Sequence, residues 1–347
     1  MVPNLKLFMQ LAIPYKIDKE KTEMNNSNNT INILTAKTYN GIGRAWIIKN
    51  LKGNESVETI VTLLNRDAKE DCHITVGDFE NMSNIIKNKI KKLEGLIDGA
   101  VAIGDDNFPP YRGKVKNSEQ PIVIFYRGDL SLLNTNNKNV AVIGLLNPDR
   151  NTVIIEQEVV AELVKNGTTI ISGLALGCDS IAHKRALSSS GKTVAILPGP
   201  LNNILPATNK ILAGEIVNKS GLLITEYYEN AKSKMELGGR YQERDRLQAL
   251  FSNSIILSAS YSKNNQGNDS GSRLAMGYAL NYSIPRAVIY DPVTDATNPK
   301  YDLSRQLIKE DKEITIINRS NLASSIKKIM SNKPNIKNNQ PGQLSLF

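Results

Sequence analysis

Between residues 140 and 290, short runs of consecutive apolar residues alternate with longer segments of helical periodicity. The short runs predict strands and the periodic segments predict helices. Because the strands are continuously apolar, we expect a parallel sheet with helices on both faces, which is a doubly wound α/β fold. The predicted strands are Val140–Ile143, Thr169–Ile171, Thr193–Leu197, Leu222–Ile224, Ser254–Leu257 and Arg286–Tyr290, and the predicted helices are Thr152–Lys165, Ser180–Ser190, Thr208–Lys219, Arg240–Phe251 and Ser272–Asn281.

The segments on either side of this region have different patterns. Apolar positions at helical spacing from about residue 30 to 92 predict a small helical module, with a tight Gly-Ile-Gly turn at residues 41–43. Two short apolar runs, Ala100–Ile103 and Ile122–Tyr126, lie between this module and the sheet. The expected division is a loose lead-in (1–30), the helical module (31–98), the sheet domain (99–295), a C-terminal helical extension (296–330) that includes a candidate strand at Ile314–Ile317, and a flexible tail (331–347).

Composition narrows the class of protein. Hydrophobic residues make up 40% and charged residues 22%, which is ordinary for a globular protein. No segment has the roughly 20 apolar residues of a membrane span, and no signal peptide is recognisable, so we expect a cytoplasmic protein. Two cysteines and two histidines give neither a disulfide framework nor zinc-ligand spacing, so we expect no metal and no cofactor.

The net charge of +9 is compatible with a polyanionic partner. A positive excess is also common in lysine-rich and asparagine-rich sequences such as this one. The charge therefore adds little by itself.

Ligands of open parallel sheets bind outside the carboxyl ends of the strands. One predicted loop at this edge, residues 172–179, is rich in small residues and leads into a helix whose free N–H groups suit an anion. The loop ending at residues 269–272 repeats this arrangement before another helix. Ordinary loop glycines and N-terminal caps are the alternative interpretation of both loops.

Asp179 and His183 lie four residues apart and share one helix face. An acid–base pair with Ser172 as nucleophile is one interpretation. The preferred interpretation is structural, because a carboxylate near a helix start caps or braces the preceding loop. We expect His183 to hold the Gly-rich loop by hydrogen bonding, and we expect no catalytic residues.

The run SGLALGCDSIAHKRAL at residues 172–187 resembles the signature of the DNA-processing protein A family (DprA, also called Smf). The blocks GKTVAILPGPLNNILPATNKIL, GLLITEYY, RYQERDRLQALFSNSIILSAS and DSGSRLAMGYAL follow in the order of the family, so the resemblance covers roughly residues 100–295. It implies an extended Rossmann-like fold and a homodimer that binds single-stranded DNA and helps to load a RecA-type recombinase. The positions that match the DNA pocket of the family are Ser172, Gly173, Ala175, Gly177, Asp179, Lys210, Arg244, Arg246, Ser270, Gly271 and Ser272.

The sequence departs from the family pattern at two positions of this pocket. Leu146 stands where the family has an arginine, and Asp245 stands where it has an asparagine. Arg150 and Arg273 are candidates to restore positive charge. The Gly-Ile-Gly turn at residues 41–43 resembles the helix–hairpin–helix region of family members, and a plain tight turn is the alternative.

The last five residues, QLSLF, resemble the pentapeptide with which bacterial replication and repair proteins bind the DNA sliding clamp. This resemblance implies a clamp-binding tail, and a tail that folds back on its own core is the alternative. The residues concerned are Gln343, Leu344, Ser345, Leu346 and Phe347.

Two other function classes remain open at this point. The same superfamily contains phosphoribohydrolases, whose Pro-Gly-Gly-x-Gly-Thr-x-x-Glu block is absent at residues 197–200, and sensors that bind a small nucleotide. The sensor is compatible with the altered pocket. The third class is a clamp-tethered adaptor that does not bind DNA.

Overall fold

The computed structural model describes residues 25–263, 271–331 and 336–337. Within these residues the strands are β1 (Asn25–Asn26), β2 (Gly99–Ala102), β3 (Tyr111–Arg112), β4 (Val123–Gly128), β5 (Asn139–Ile143), β6 (Thr169–Ser172), β7 (Thr193–Ile196), β8 (Leu222–Thr225), β9 (Ser254–Leu257), β10 (Arg286–Ile289), β11 (Thr315–Ile317) and β12 (Ile336–Lys337). The helices are α1 (Asn28–Ala36), α2 (Arg44–Asn50), α3 (Val57–Asp67), α4 (Val76–Lys91), α5 (Arg150–Lys165), α6 (Cys178–Ser188), α7 (Lys210–Asn218), α8 (Lys234–Leu250), α9 (Gly271–Asn281), α10 (Asp302–Glu310) and α11 (Leu322–Ser331).

Seven parallel strands form the centre of the main sheet, in the order β8-β7-β6-β5-β9-β10-β11. Their side chains alternate between two apolar layers: Val140 and Val142 of β5 pack on one face, and Ala141 and Ile143 on the other. Helices cover both faces because both faces of each strand are apolar. The predicted doubly wound α/β fold is confirmed.

Three further strands extend the sheet beyond β8: β4, then β2, and then β1, which pairs parallel with β2. Strand β4 pairs antiparallel with β8, and β2 pairs antiparallel with β4. The sheet is therefore mixed, where the sequence predicts a parallel one. Pairing partners depend on hydrogen bonds between distant segments such as Phe125 and Thr225, which hydrophobic periodicity does not encode.

Helices α1 to α4 lie in the segment for which the sequence predicts a helical module, and Gly41 adopts a φ of +81° in the turn between α1 and α2. Residues 25–30, expected to be a loose lead-in, are instead ordered. Ser27 caps α1 by accepting from the backbone N–H of Thr30 at 3.0 Å, and its hydroxyl donates to Asp105 at 2.9 Å. Apolar side chains of the module, such as Ile33 and Phe79, share one core with the strands.

The expected C-terminal helical extension contains a strand of the main sheet. Strand β11 pairs with β10 through residues 315–317, and α10 and α11 flank it. Farther along the chain, the two residues of β12 pair with β3 inside the expected tail. None of the helices in the described ranges is long and apolar enough to cross a membrane.

Candidate functional site

A cavity of about 780 Å³ opens at the carboxyl ends of the strands. It lies where the strand order reverses, because β6 to β8 follow on one side of β5 and β9 to β11 lie on the other. Such a reversal leaves a crevice between loops that diverge in opposite directions. The cavity is lined by the loops after β5, β6 and β9, by the first turns of α6 and α9, and by one face of α8.

The Gly-rich loop between β6 and α6 bonds to groups of the protein itself. Asp179 Oδ2 accepts from the backbone N–H of Gly173 at 3.1 Å and of Ala175 at 3.3 Å. The first N–H of α6, that of Cys178, donates to the carbonyl of Leu145 at 3.0 Å. These three amides therefore already have acceptors within the protein, whereas the sequence predicts that loop amides face a phosphate.

The glycines of this loop permit close packing inside the protein. A Cβ on Gly173 would lie 1.5 Å from Nη1 of Arg244, and a Cβ on Gly177 would lie 2.2 Å from the carbonyl oxygen of Leu145. Gly177 also adopts a φ of +70°, which L side chains rarely tolerate. Both glycines make room for protein atoms, whereas the sequence predicts room for a ligand.

Arg244 lies between two buried carboxylates at the cavity wall. Its Nη1 is 3.6 Å from Asp179 Oδ2 and 3.5 Å from Asp245 Oδ1. Burial raises the pKa of Asp179, and the Arg244 guanidinium opposes that shift. Burial likewise raises the pKa of Asp245 to about 7, with Arg244 lowering it and Asp179 raising it further.

The start of α9 faces one of these carboxylates. A Cβ on Gly271 would lie 2.7 Å from Asp245 Oδ2, so this oxygen occupies the position beside the helix start where the sequence predicts an anion. Ser272 Oγ donates to the carbonyl of Gly144 at 3.0 Å and joins α9 to the loop after β5. Ser270, the remaining predicted contact of this turn, lies outside the described residues.

Ser172 and His183 do not form the acid–base arrangement considered above. The Ser172 hydroxyl donates to the carbonyl of Val142 at 2.7 Å. The hydroxyl of Thr193 donates to the carbonyl of Ile170 at 2.8 Å, so it accepts from Nδ1 of His183 at 2.7 Å. His183 thus joins α6 to β7 and does not hold the Gly-rich loop. Burial, together with the Arg244 charge, lowers the pKa of His183 to about 3, which keeps the ring neutral.

Arg246 does not reach the cavity. It is 1% exposed, and its Nη2 donates to both carboxylate oxygens of Glu226 at 2.8 and 2.6 Å. Residues two positions apart on a helix point about 200° apart, so Arg244 and Arg246 cannot serve one site. Lys210 is exposed at the start of α7 and does not line the cavity. The predicted clamp-binding residues 343–347 lie outside the described residues.

The cavity also contains residues that the sequence analysis missed. Tyr241 and Gln248 line it together with Arg244 and Asp245, on one face of α8. Counted from Tyr241, the other three follow at three, four and seven residues, and this spacing predicts from the sequence that all four share one helix face. Lys300 carried no such signal, because it lies in the segment expected to be an extension.

The charges at the cavity wall balance. Among the described residues that line it, Arg244 and Lys300 face Asp179 and Asp245. Lys300 is also 3.8 Å from Asp149. Within residues 25–263 and 271–331, no three or more His, Cys, Asp or Glu side chains lie close enough together to hold a metal ion.

Comparisons with known proteins give a consistent result. A family model described as DNA recombination-mediator protein A matches residues 99–326. The chain is 28% identical to Protein Smf of Borreliella burgdorferi over 227 residues, which cover 60% of this chain and 69% of that protein. It is 27% identical to DNA processing protein DprA of Bacillus subtilis over 139 residues, covering 40% of this chain and 45% of that protein. The matched region thus spans about half of the Bacillus protein.

Among solved structures, the X-ray structure of DprA from Streptococcus pneumoniae matches with a TM-score of 0.65 and 21% identity. The match covers 88% of this chain and 98% of that chain. It shows that the two chains share a fold, including the Rossmann-like sheet at whose edge the cavity lies.

Proposed function

The chain belongs to the DNA recombination-mediator protein A family, and on that premise we propose that it is a non-enzymatic mediator that binds single-stranded DNA at the cavity between β5 and β9. The observation that supports this most directly is the cavity itself. Its volume of about 780 Å³ suits a small planar ligand, and Tyr241 and Tyr261 line it beside Arg244. Aromatic rings on which bases stack are a general means of binding single strands.

The phosphates of the strand belong outside the cavity in this proposal. The buried carboxylates of Asp179 and Asp245 disfavour a phosphate in the interior. Lys300 at the wall and the exposed Lys210 on α7 are the cations that we assign to the backbone of the strand. Bases would enter the cavity while phosphates follow its rim.

A titration of labelled (dT)20 at several salt concentrations tests this function, with duplex DNA and mononucleotides as competitors. We expect saturable binding of the single strand that weakens as salt rises. Lys300→Ala should weaken binding. It should also reduce the steepness of log affinity plotted against log salt concentration by about one. The matched control is Lys138→Ala, because Lys138 is exposed at the opposite edge of the sheet, directly before β5.

Two results would contradict the proposal. Saturable binding of a mononucleotide without binding of any strand would favour the nucleotide sensor. Indifference to every nucleic acid would favour the clamp-tethered adaptor.

We extend the proposal to two protein partners that membership of the family suggests, a RecA-type recombinase and a second copy of this chain. Light scattering on the full chain measures the dimer, and nucleation of recombinase filaments on coated single strands measures loading. We expect a mass of two chains and faster nucleation. A monomer at all concentrations would contradict the proposed dimer. Unchanged nucleation would contradict the proposed loading of the recombinase.

We also propose that residues 343–347 bind the sliding clamp through Gln343 at a pocket rim and the apolar side chains of Leu344, Leu346 and Phe347. A short terminal motif gains effective concentration from its tether. Deletion of these five residues should abolish retention on immobilised clamp and leave binding of (dT)20 intact. Equal retention of the truncated protein would refute this assignment.

A further inference from the structure

Two large apolar side chains are exposed at the cavity. Leu146, in the loop after β5, is 65% exposed, and Leu176, in the loop after β6, is 47% exposed. Both residues line the cavity. A leucine that lines a cavity and is this exposed lies where the cavity opens to solvent.

The two loops that carry these leucines pack backbone against backbone. A Cβ on Gly177 would collide with the carbonyl oxygen of Leu146, so the two chain segments are in direct contact. The N–H of Cys178 donates to the carbonyl of Leu145 at 3.0 Å and holds them together. Because Leu176 directly precedes Gly177, the two leucines belong to one continuous apolar surface.

The charges beside this surface leave little for a phosphate. Among the described residues that line the cavity, both cations have acidic partners. Arg244 lies 3.6 Å from Asp179 and 3.5 Å from Asp245, and Lys300 lies 3.8 Å from Asp149. A group that enters between the two loops therefore meets apolar surface and not an excess of positive charge, and this favours an uncharged group.

We propose that Leu146 and Leu176 form an apolar lip on which an unpaired base packs as it enters the cavity, and that this lip selects single strands over duplex DNA. Unpaired bases can be turned out of the stack and bury their faces on a protein. In a duplex the same faces are covered by neighbouring base pairs, so the lip meets only the charged backbone. Burial of apolar surface from both partners stabilises the single strand alone. This inference rests on the proposed function, because the strand must reach the cavity for its bases to meet the lip.

The test compares (dT)20 with an abasic strand of equal length, which carries the same phosphates and no bases. Dissociation constants of the full chain are measured by fluorescence anisotropy at several salt concentrations. We expect the wild-type protein to bind (dT)20 about tenfold more tightly than the abasic strand. Leu146→Ala and Leu176→Ala should each weaken binding of (dT)20 about fivefold. Neither variant should change the affinity for the abasic strand or the salt dependence, because neither removes a charge.

Two further variants separate apolar contact from a general effect on the protein. Leu146→Met keeps an apolar side chain of nearly the same volume and should bind (dT)20 as the wild-type protein does. The matched control is Leu280→Ala at the end of α9, because Leu280 is 57% exposed and does not line the cavity. This control should keep both affinities.

The failure of the inference is distinguishable from the failure of the proposed function. Wild-type affinity for (dT)20 in both alanine variants would overturn the lip and leave single-strand binding standing. Equal weakening of both strands would also overturn it, because the leucines would then not act on bases. Loss of a dimer in light scattering of either variant would assign the leucines to a second copy of the chain and overturn the inference. If the wild-type protein binds no strand, the proposed function and the lip both fail.

Discussion

Asp179 satisfies the backbone amides that the Gly-rich motif predicts for a phosphate. Its Oδ2 accepts from Gly173 and Ala175, and Arg244 packs on Gly173 from the other side. Buried amides need acceptors, and a carboxylate on the following helix provides one permanently. At the scale of single residues, the charge of Arg244 is therefore already balanced by buried acids of the protein itself.

Glu156 should make folding stability fall as the pH rises. It is fully buried beside Cys178, and burial raises its pKa to about 8 from the ordinary value of 4.5. Between these values the folded protein holds a proton that the unfolded chain releases, so the free energy of unfolding decreases by up to about 1.4 kcal/mol per pH unit. Glu156→Gln should make the dependence between pH 5 and 8 shallower in urea denaturation, leaving the contribution of Asp245, whose pKa burial also raises.

The control for this change is Glu158→Gln on the same helix. Glu158 is partly exposed and pairs with Arg319 at 3.0 Å. This variant should retain the slope of the wild-type protein. An identical slope in Glu156→Gln and the wild-type protein would refute the assignment to Glu156.

Helix α8 performs two separate tasks on its two sides. One side, from Tyr241 to Gln248, forms the cavity wall. The other side holds the helical module, because Arg246 pairs with Glu226, which also pairs with Arg44 of α2 at 3.4 Å. At the scale of elements, this helix connects the position of the module to the geometry of the site.

Arg246→Met should therefore destabilise the fold and not act through DNA contacts. It leaves the buried Glu226 with Arg44 as its remaining ion-pair partner, and breaking a buried pair costs about 3–5 kcal/mol. Urea denaturation measures the loss, and Lys234→Met at the exposed start of α8 is the control. A loss below about 1 kcal/mol would show that the pair is not structural.

Across the whole molecule, the helical module and the sheet form one folded body. Ile33 and Phe79 of the module pack in the same core as Phe125 and Leu223 of the sheet. The sheet face under the module is apolar, so the face requires the module as a cover. The family match begins at residue 99, yet the fold that it describes depends here on residues before it.

Removal of residues 1–98 should accordingly prevent stable folding of the remainder. We expect the exposed apolar face of the truncated protein to bind the dye ANS. We also expect the truncated protein to show no cooperative thermal unfolding transition. Deletion of residues 343–347 is the control and should leave the melting temperature unchanged. A truncated protein with the melting temperature of the full chain would contradict a shared core.

The amino-acid sequence by itself determined the α/β class, the positions of the parallel strands and the edge of the sheet at which the cavity opens. Continuous apolar runs specify buried strands, and a Gly-rich segment after a strand specifies a tight loop into a helix. These are local properties, so a single segment is sufficient to read them.

Only the tertiary structure decided what the site contains. Asp179 occupies the loop amides, Arg246 faces away from Arg244, and Lys300 joins the cavity from beyond the expected domain boundary. The antiparallel pairing of β4 with β8 was decided in the same way. Hydrogen-bond partners and charge balance depend on which segments, distant in the sequence, are in contact in the fold. No local sequence pattern specifies those contacts.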